Sequence, residues 1–188
     1  MNITVKGFLK YILIAIGVLF IIGILILNDD KENEESSSTK NDGLKTNMEN
    51  VWTYSTSTDE MSGNVSFFAQ STSTDNVEFS FPYGHCDFTL IIRYANGKNE
   101  ILLKGTSCQF MPGILGDEYL RIKIDDNEPY KVSYSDAADG SANVIFLSSV
   151  QKVLSGIKQG KELKIEAPFF QDGRKIINFH IENLEWEH

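Results

Sequence analysis

Two cysteines, Cys86 and Cys108, are the side chains in this sequence best suited to covalent chemistry, and His85 directly precedes the first of them. A histidine beside a cysteine can belong to a zinc site or activate a nucleophilic thiol. Zinc needs three or four protein ligands at recognisable spacings, and the sequence has no CxxC or HxxxH pair. A nucleophilic cysteine needs a base and an orienting group, and bonding to the second cysteine would remove its thiolate. We therefore expect no catalytic or metal-binding role for these side chains.

Carboxylates cluster at a second place, a turn containing Asp125, Asp126 and Glu128, with Asp117 and Glu118 shortly before it. Calcium prefers such oxygen ligands, but the spacing and the glycine of an EF-hand loop are missing. We expect a solvated turn and no metal site, and a bound cation stays the open alternative. The motifs of serine hydrolases, zinc proteases, dinucleotide-binding folds and phosphate loops are also missing, so we expect neither enzyme activity nor a cofactor.

The cellular location of these residues follows from an apolar run from Tyr11 to Leu27, which contains no charged side chain. As a helix this run would span about 25 Å, so we predict a transmembrane helix. Lys6 and Lys10 precede the run and acidic residues follow it, which favours a cytoplasmic N-terminus and an extracytoplasmic C-terminal domain. A cleaved signal peptide is the alternative, but the run is long for one and ends without a small-residue cleavage site.

Three regions follow: a cytoplasmic N-terminus and membrane anchor at 1–28, a flexible acidic and serine-rich tether at 29–50, and an extracytoplasmic domain at 51–188. The tether carries too little apolar surface to offset the entropy of ordering. The whole chain has a net charge of −9, and the domain has twelve lysine and arginine residues against nineteen aspartate and glutamate residues. Nucleic-acid binding needs a basic footprint, so we expect no nucleic-acid partner.

From residue 51 onward, short β-rich runs alternate with turn residues, a pattern typical of antiparallel sandwiches. We predict a mainly β fold, with the transmembrane helix followed by an antiparallel β-sandwich of about ten strands and one short α-helix. The helix is predicted at 149–158, where Val150, Val153, Leu154 and Ile157 share one face and Gly160 can end it. The predicted strands are 51–55, 65–71, 77–81, 86–94, 100–104, 119–124, 130–134, 143–147, 162–168 and 175–182.

The segment between the two cysteines is predicted to be a hairpin. Its turn is an Asn-Gly dipeptide at positions 96 and 97, which is favoured in two-residue type I′ turns. The resulting register places Arg93 opposite Glu100 and Cys86 opposite Ser107. A β-bulge at Gly105 would supply one more residue and place the second cysteine opposite the first.

We predict a disulfide between Cys86 and Cys108, because both cysteines belong to the domain expected outside the cytoplasm. Cross-strand neighbours have a separation that suits such a bond. Two reduced, buried cysteines are the alternative.

The string Ser-Thr-Ser-Thr-Asp occurs twice, at 55–59 and 71–75, each time beside the end of a predicted strand. Its aspartates can close Asx turns, and its hydroxyls can bond to the local backbone. The alternative is a pair of polar loops at one end of the sandwich that forms a binding rim. The candidate rim residues are Ser55, Thr56, Asp59, Ser71, Thr72 and Asp75.

Aromatic residues mark both ends of the domain. Trp52 and Tyr54 share one face of the first predicted strand, and Trp186 follows the last strand. We expect these rings to lock the first and last strands together in the core, with an exposed aromatic platform for a ligand as the alternative.

Several short motifs are distributed over the domain. They are Trp52-x-Tyr54, Asp59-x-Met61, Phe81-Pro82-Tyr83-Gly84, Leu90-Ile91-Ile92-Arg93, Gln109-Phe110, Arg121-Ile122-Lys123-Ile124-Asp125-Asp126 and Leu184-x-Trp186. With these motifs the domain resembles a group of small bacterial envelope proteins, often lipoproteins, that have no assigned function. The resemblance implies a β-sandwich and carries over no catalytic residue. The chain departs from the lipoprotein members by its predicted transmembrane anchor.

These features predict a non-enzymatic binding module, anchored in the membrane through the run from Tyr11 to Leu27, with an envelope protein as its partner. An immunity or exclusion protein of a mobile element is the alternative within the same class. A hydrolase or redox enzyme of unrecognised type is the alternative from another class. A pocket with convergent histidine, aspartate or cysteine side chains would favour the enzyme, and a flat polar surface or an exposed apolar patch would favour the binding module.

Overall fold

The computed structural model describes residues 51–113 and 119–188. In these two ranges the chain forms eleven β-strands and one α-helix, which confirms the mainly β class. The elements are β1 (Thr53–Thr58), β2 (Val65–Thr72), β3 (Val77–Phe79), β4 (Gly84–Cys86), β5 (Phe88–Ala95), β6 (Lys98–Gly105), β7 (Tyr119–Ile124), β8 (Tyr130–Asp136), β9 (Val144–Leu147), α1 (Val150–Gln159), β10 (Glu162–Phe169) and β11 (Gly173–His180).

Antiparallel pairing connects most of these strands. Within the described residues, nine strands form one sheet in the order β1-β2-β5-β6-β9-β8-β7-β10-β11, and β3 and β4 form a separate hairpin. The two ends of this order are joined by side chains: Nε1 of Trp52 donates to the Ile181 carbonyl (3.1 Å), and the Ser71 hydroxyl donates to the His180 carbonyl (3.0 Å). The sheet therefore folds back on itself into a sandwich-like domain around one core.

Alternation along the strands builds this core. In β5, Phe88, Leu90 and Ile92 are fully buried while the residues between them are partly exposed. Trp52 and Trp186 are buried too, as predicted for aromatic residues of the core. Four phenylalanine rings pack together with several centroid separations between 4.8 and 6.3 Å; these are Phe79, Phe88, Phe110 and Phe169.

The helix α1 is present where the sequence predicts it, and Gly160 is its C-cap. Its three buried side chains belong to the set predicted to share one face. A Cβ at Gly156 or Gly160 would overlap the Ile124 side chain of β7. The two glycines therefore allow the helix to approach the sheet closely and to pack its apolar face on the core.

The β5–β6 hairpin has the predicted register, with Arg93 opposite Glu100. Positions 96 and 97 have φ values of 51° and 75°, as a type I′ turn requires. The structure differs in two details from the prediction for the segments on either side of this hairpin. Cys86 pairs with Val77 in the β3–β4 hairpin and does not extend β5, and β6 ends at Gly105, so a loop and not a bulge leads to the second cysteine.

No helix within residues 51–113 or 119–188 is long and apolar enough to cross a bilayer. The predicted membrane helix from Tyr11 to Leu27 and the predicted tether at 29–50 lie outside the described residues.

Candidate functional site

A groove of about 530 Å³ lies between the β1–β2 hairpin and the C-terminal residues 185–188. Its lining is aromatic, hydroxyl-bearing and acidic, and no lysine or arginine of the described residues contributes to it. The lining residues are Tyr54, Ser55, Thr56, Phe67, Phe68, Glu185, Trp186, Glu187 and His188. Such a lining is complementary to a ligand that carries apolar and basic groups together.

Hydrogen bonds hold the C-terminal residues in place as one wall of the groove. The Glu185 backbone N–H donates to the Tyr54 hydroxyl (2.8 Å), and Nε1 of Trp186 donates to Oδ1 of Asn99 (2.9 Å). Nδ2 of Asn99 donates in turn to the His188 carbonyl (3.0 Å). The wall is therefore attached both to β1 and to β6, on either side of the β2–β5 pair.

Ring stacking adds to this attachment. The His188 ring stacks on Tyr94 with a centroid distance of 4.7 Å and lies 4.3 Å from the Phe67 ring. The Trp186 ring meets it edge-on at 5.1 Å. Tyr54 keeps 39% of its surface exposed, so the floor of the groove presents an accessible aromatic ring.

Strand β1 forms the open side of this groove. It pairs only with β2 among the described strands, and all six of its residues are exposed. Its sequence, Thr-Tyr-Ser-Thr-Ser-Thr, contains none of the lysines or prolines that commonly protect edge strands from pairing with another chain. The groove thus lies beside a six-residue strand edge that is available for backbone hydrogen bonds.

The first serine–threonine repeat is divided between this groove and the adjacent turn. Ser55 and Thr56 line the groove. Asp59 closes an Asx turn, because its carboxylate accepts hydrogen bonds from the Met61 N–H (2.8 Å) and from the Ser62 hydroxyl (2.8 Å). These bonds, that from Met61 first, lower the pKa of Asp59. Asp59 therefore shapes the turn.

The second repeat lies at the opposite end of the β1–β2 hairpin, because antiparallel strands end on opposite sides. Ser71 is buried and bonded to the His180 carbonyl, and Thr72 is exposed at the end of β2. Asp75 accepts hydrogen bonds from the Thr74 hydroxyl and from Nδ2 of Asn178 (2.6 Å), and these bonds, that from Thr74 first, lower its pKa. The structure therefore does not bring the six candidate rim residues together.

The two cysteines are brought together in the core. Their Sγ atoms are 2.8 Å apart, and both side chains are buried thiols. In the reduced form, the hydrogen bond between the thiols lowers the pKa of Cys86 to about 6 and, with burial, raises that of Cys108. A Cβ at Gly105 would overlap Sγ of Cys108 and lie 2.9 Å from that of Cys86, so only glycine leaves room for the pair. The disulfide stays our prediction.

The remaining candidates for chemistry are dispersed. The His85 imidazole is exposed, and its Nδ1 atom lies 2.7 Å from Oε1 of Glu78. No group of three or more histidine, cysteine or acidic side chains in residues 51–113 and 119–188 has the geometry of a metal site. Asp117 and Glu118, upstream of the acidic turn, lie outside the described residues.

Asp125 in the acidic turn has a structural task. Its Oδ1 atom accepts hydrogen bonds from the backbone N–H groups of Glu162, the first residue of β10 (2.9 Å), and of Lys161, which precedes that strand (3.0 Å). These two bonds, that from Glu162 first, lower the pKa of Asp125 below its usual 3.8. The carboxylate therefore attaches the β7–β8 turn to the segment that leaves α1.

Replacing Asp125 with asparagine should reduce the loss of stability in acid. A lowered pKa means that the charged form stabilises the fold above about pH 4, and that this contribution disappears as the pH falls through the lowered pKa. Asparagine keeps the acceptor oxygen and tolerates the φ of 50° found here, but it does not titrate. Denaturant unfolding from about pH 6 to about pH 2.5 should show a smaller decrease for the variant.

The matched control is Asp126→Asn in the same turn, since the Asp126 carboxylate accepts no hydrogen bond from the described residues. Equal pH dependence of Asp125→Asn and the wild type would contradict a stabilising charge at this position.

Comparison of the chain with protein-family models, with curated proteins and with solved structures finds no match.

Of the C-terminal residues that line the groove, the sequence indicates only Trp186, through the alternative of an aromatic platform; it does not indicate Glu185, Glu187 or His188. His188 alone gives no pattern, but Leu184, Trp186 and His188 alternate in the manner of an extended segment. Two of the three prove to be wall residues of the groove.

Proposed function

We propose that the chain is a membrane-anchored, extracytoplasmic and non-enzymatic binding module that holds an extended segment of an envelope protein along strand β1. The observation that carries this proposal is the open edge of β1 beside an aromatic and acidic groove. The apolar run from Tyr11 to Leu27 supports the anchor, and the acidic tether at 29–50 supports a domain that can reorient at the membrane.

The edge of β1 supplies the main-chain part of the recognition. An extended peptide that adds a strand to a sheet edge gains backbone hydrogen bonds, and pockets beside the edge select its alternate side chains. Tyr54 and Thr56 lie on the face of β1 that borders the groove, as their pairing with Ala69 and Phe67 of β2 shows. Every second side chain of an added strand would therefore reach the groove.

The groove specifies the chemistry of those side chains. Glu185 and Glu187 are exposed, and the lining contains no lysine or arginine to compensate them. A lysine or arginine of the partner would form ion pairs with these carboxylates, and an apolar neighbour would contact Tyr54. The proposed ligand is therefore an extended peptide with alternating apolar and basic residues.

A selection experiment tests this function. The full-length protein in detergent is used to select from a phage-displayed library of random peptides, and the variant Glu185→Lys/Glu187→Lys is used in parallel. We expect the wild-type protein to enrich peptides with basic residues at alternate positions. The double variant should bind those peptides about tenfold more weakly, since it replaces attraction by repulsion at the rim.

The matched control is Asp126→Lys/Glu128→Lys, which makes the same change of charge in the exposed acidic turn, away from the groove. It should leave the affinity for the selected peptides unchanged. Absence of any enriched peptide, or equal weakening by both double variants, would overturn the proposal.

A further inference from the structure

Five basic side chains lie on the outer face of four neighbouring strands, β8, β7, β10 and β11. The register places Arg121 opposite Lys131, Lys123 opposite Lys164, and Arg174 at the start of β11 on the same side. Directly opposite residues point to the same side of a sheet, and residues two apart share a face. We call this set the basic face; its members are Arg121, Lys123, Lys131, Lys164 and Arg174.

The basic face is exceptional in a domain that is otherwise acidic. It holds five of the twelve lysine and arginine residues of 51–188, together with Glu162 and Glu166 of the nineteen acidic residues, and the Asp75 carboxylate reaches its border by bonding to Asn178. The rest of the domain is correspondingly more negative than the total charge indicates. The domain therefore has a marked charge asymmetry, which would orient it at a charged surface.

Glu166 and the Tyr119 ring on this face are already engaged by its cations. Glu166 forms ion pairs with Arg121 (2.8 Å) and Arg174 (2.9 Å). The Tyr119 ring lies under Lys131, with Nζ 3.9 Å from its centroid, and under the Arg174 guanidinium at 4.7 Å. These contacts hold three of the five cations in place at the surface of the sheet.

The other two cations face each other, and neither forms a close ion pair within the described residues, although the Asp75 carboxylate acts on Lys164 from a longer distance. Lys123 and Lys164 are directly opposite on neighbouring strands. Like charges in this position destabilise a sheet. A cleft of about 130 Å³ lies beside them, lined also by Pro129, by the ion-paired Arg121 and Glu166, and by Ile176, which is 58% exposed. An anion at the cleft would relieve the repulsion.

We propose that the basic face docks on the surface of an anionic phospholipid bilayer. A lipid phosphate would lie between Lys123 and Lys164, and Ile176 would contact the apolar part of the interface. A sheet face with several cations and one exposed aliphatic side chain is complementary to such a surface, where each lysine or arginine adds to the attraction. The acidic remainder of the domain would point away from the bilayer. This inference does not depend on the peptide groove.

Lysine reactivity in defined bilayers tests this docking. The full-length chain is reconstituted into nanodiscs of phosphatidylcholine alone, or of equal parts phosphatidylcholine and phosphatidylglycerol, and acylation of each lysine is followed by mass spectrometry. In the anionic discs, Lys123 and Lys164 should react at least about threefold more slowly than in the neutral discs, and Lys104 and Lys158 should react at the same rate in both. High salt should remove the protection, because screening weakens the attraction.

Two variants complete the test. Lys123→Glu/Lys164→Glu should abolish the protection of Lys131 by anionic lipid, whereas Lys104→Glu/Lys158→Glu, with the same change of charge elsewhere, should preserve it. Equal rates in both kinds of disc, or failure of the chain to copurify with anionic discs, would overturn the proposal. Equally low reactivity of both lysines in neutral discs would also overturn it, because this would indicate that the acidic residues at 29–50 cover the basic face. Equal protection by soluble glycerol phosphate would overturn it as well, because this would indicate a site for small anions.

Discussion

Replacing Trp52 with alanine should lower the free energy of unfolding by about 3–5 kcal/mol, the largest effect expected for a single side chain here. The indole is 2% exposed, so its removal leaves a large cavity in the core. Its Nε1 group also donates to the Ile181 carbonyl, a bond between the segment that leads into β1 and the residue after β11. The substitution therefore removes both packing and one of the connections between the two ends of the sheet.

Two further variants separate these contributions. Trp52→Phe keeps much of the ring volume and loses the hydrogen bond, so it should cost about 1–3 kcal/mol. Ser57→Ala, at an exposed position of β1, should change stability by no more than about 0.5 kcal/mol. Denaturant unfolding followed by circular dichroism measures all three, and a cost for Trp52→Ala close to that of Ser57→Ala would contradict a core role.

Local patterns of the sequence are sufficient to predict the hairpin and the helix. The Asn-Gly turn specifies both the turn type and the register of β5 and β6, because a two-residue loop leaves no freedom in the pairing. The helix is predictable because its four apolar side chains have a spacing that only a helix places on one side. In both cases all the residues that determine the outcome are close together in the chain.

The rest of the architecture depends on pairings that no local pattern specifies. The strand order places β9 beside β6 and β10 beside β7, and neither pair is joined by a short turn. The basic face results from this order, since it joins the β7–β8 hairpin to the β10–β11 hairpin, and no local pattern shows these two hairpins to be neighbours. The total charge of the domain indicates an acidic surface and conceals this face.

The serine–threonine repeat shows a second reason why the site could not be predicted from the sequence. The first copy follows the local rule, in which hydroxyl and carboxylate oxygens serve neighbouring groups, as Asp59 does with Met61 and Ser62. The second copy bonds mainly to the distant strand β11 and the residues at its end, through Ser71 and Asp75. Sequence identity between two loops does not tell which end of a sheet each occupies. The antiparallel pairing of β1 with β2 places the two copies at opposite ends, and only Ser55 and Thr56 reach the groove.

Reduction of the protein should lower its stability by about 3 kcal/mol and its melting temperature by about 10 °C, if Cys86 and Cys108 form the predicted disulfide. The bond would close a loop of 23 residues that contains the β5–β6 hairpin, which restricts the unfolded chain. It would also attach β4 to the loop after β6, where a thiol pair already lies in contact. Thermal unfolding with and without reductant, together with thiol alkylation counted by mass spectrometry, measures both the bond and its effect.

Three variants decide whether the effect belongs to this bond. Cys86→Ser/Cys108→Ser should be insensitive to reductant, and equal sensitivity would contradict the prediction. Gly105→Ala should destabilise the oxidised protein strongly, since its Cβ would overlap Sγ of Cys108 and crowd Phe88 at 3.1 Å. Combining it with Cys108→Ala removes the overlapping sulfur, so the cost of the alanine at position 105 should be smaller there than in the wild type. This coupling would show that the glycine is required by the cysteine pair and not by the backbone alone.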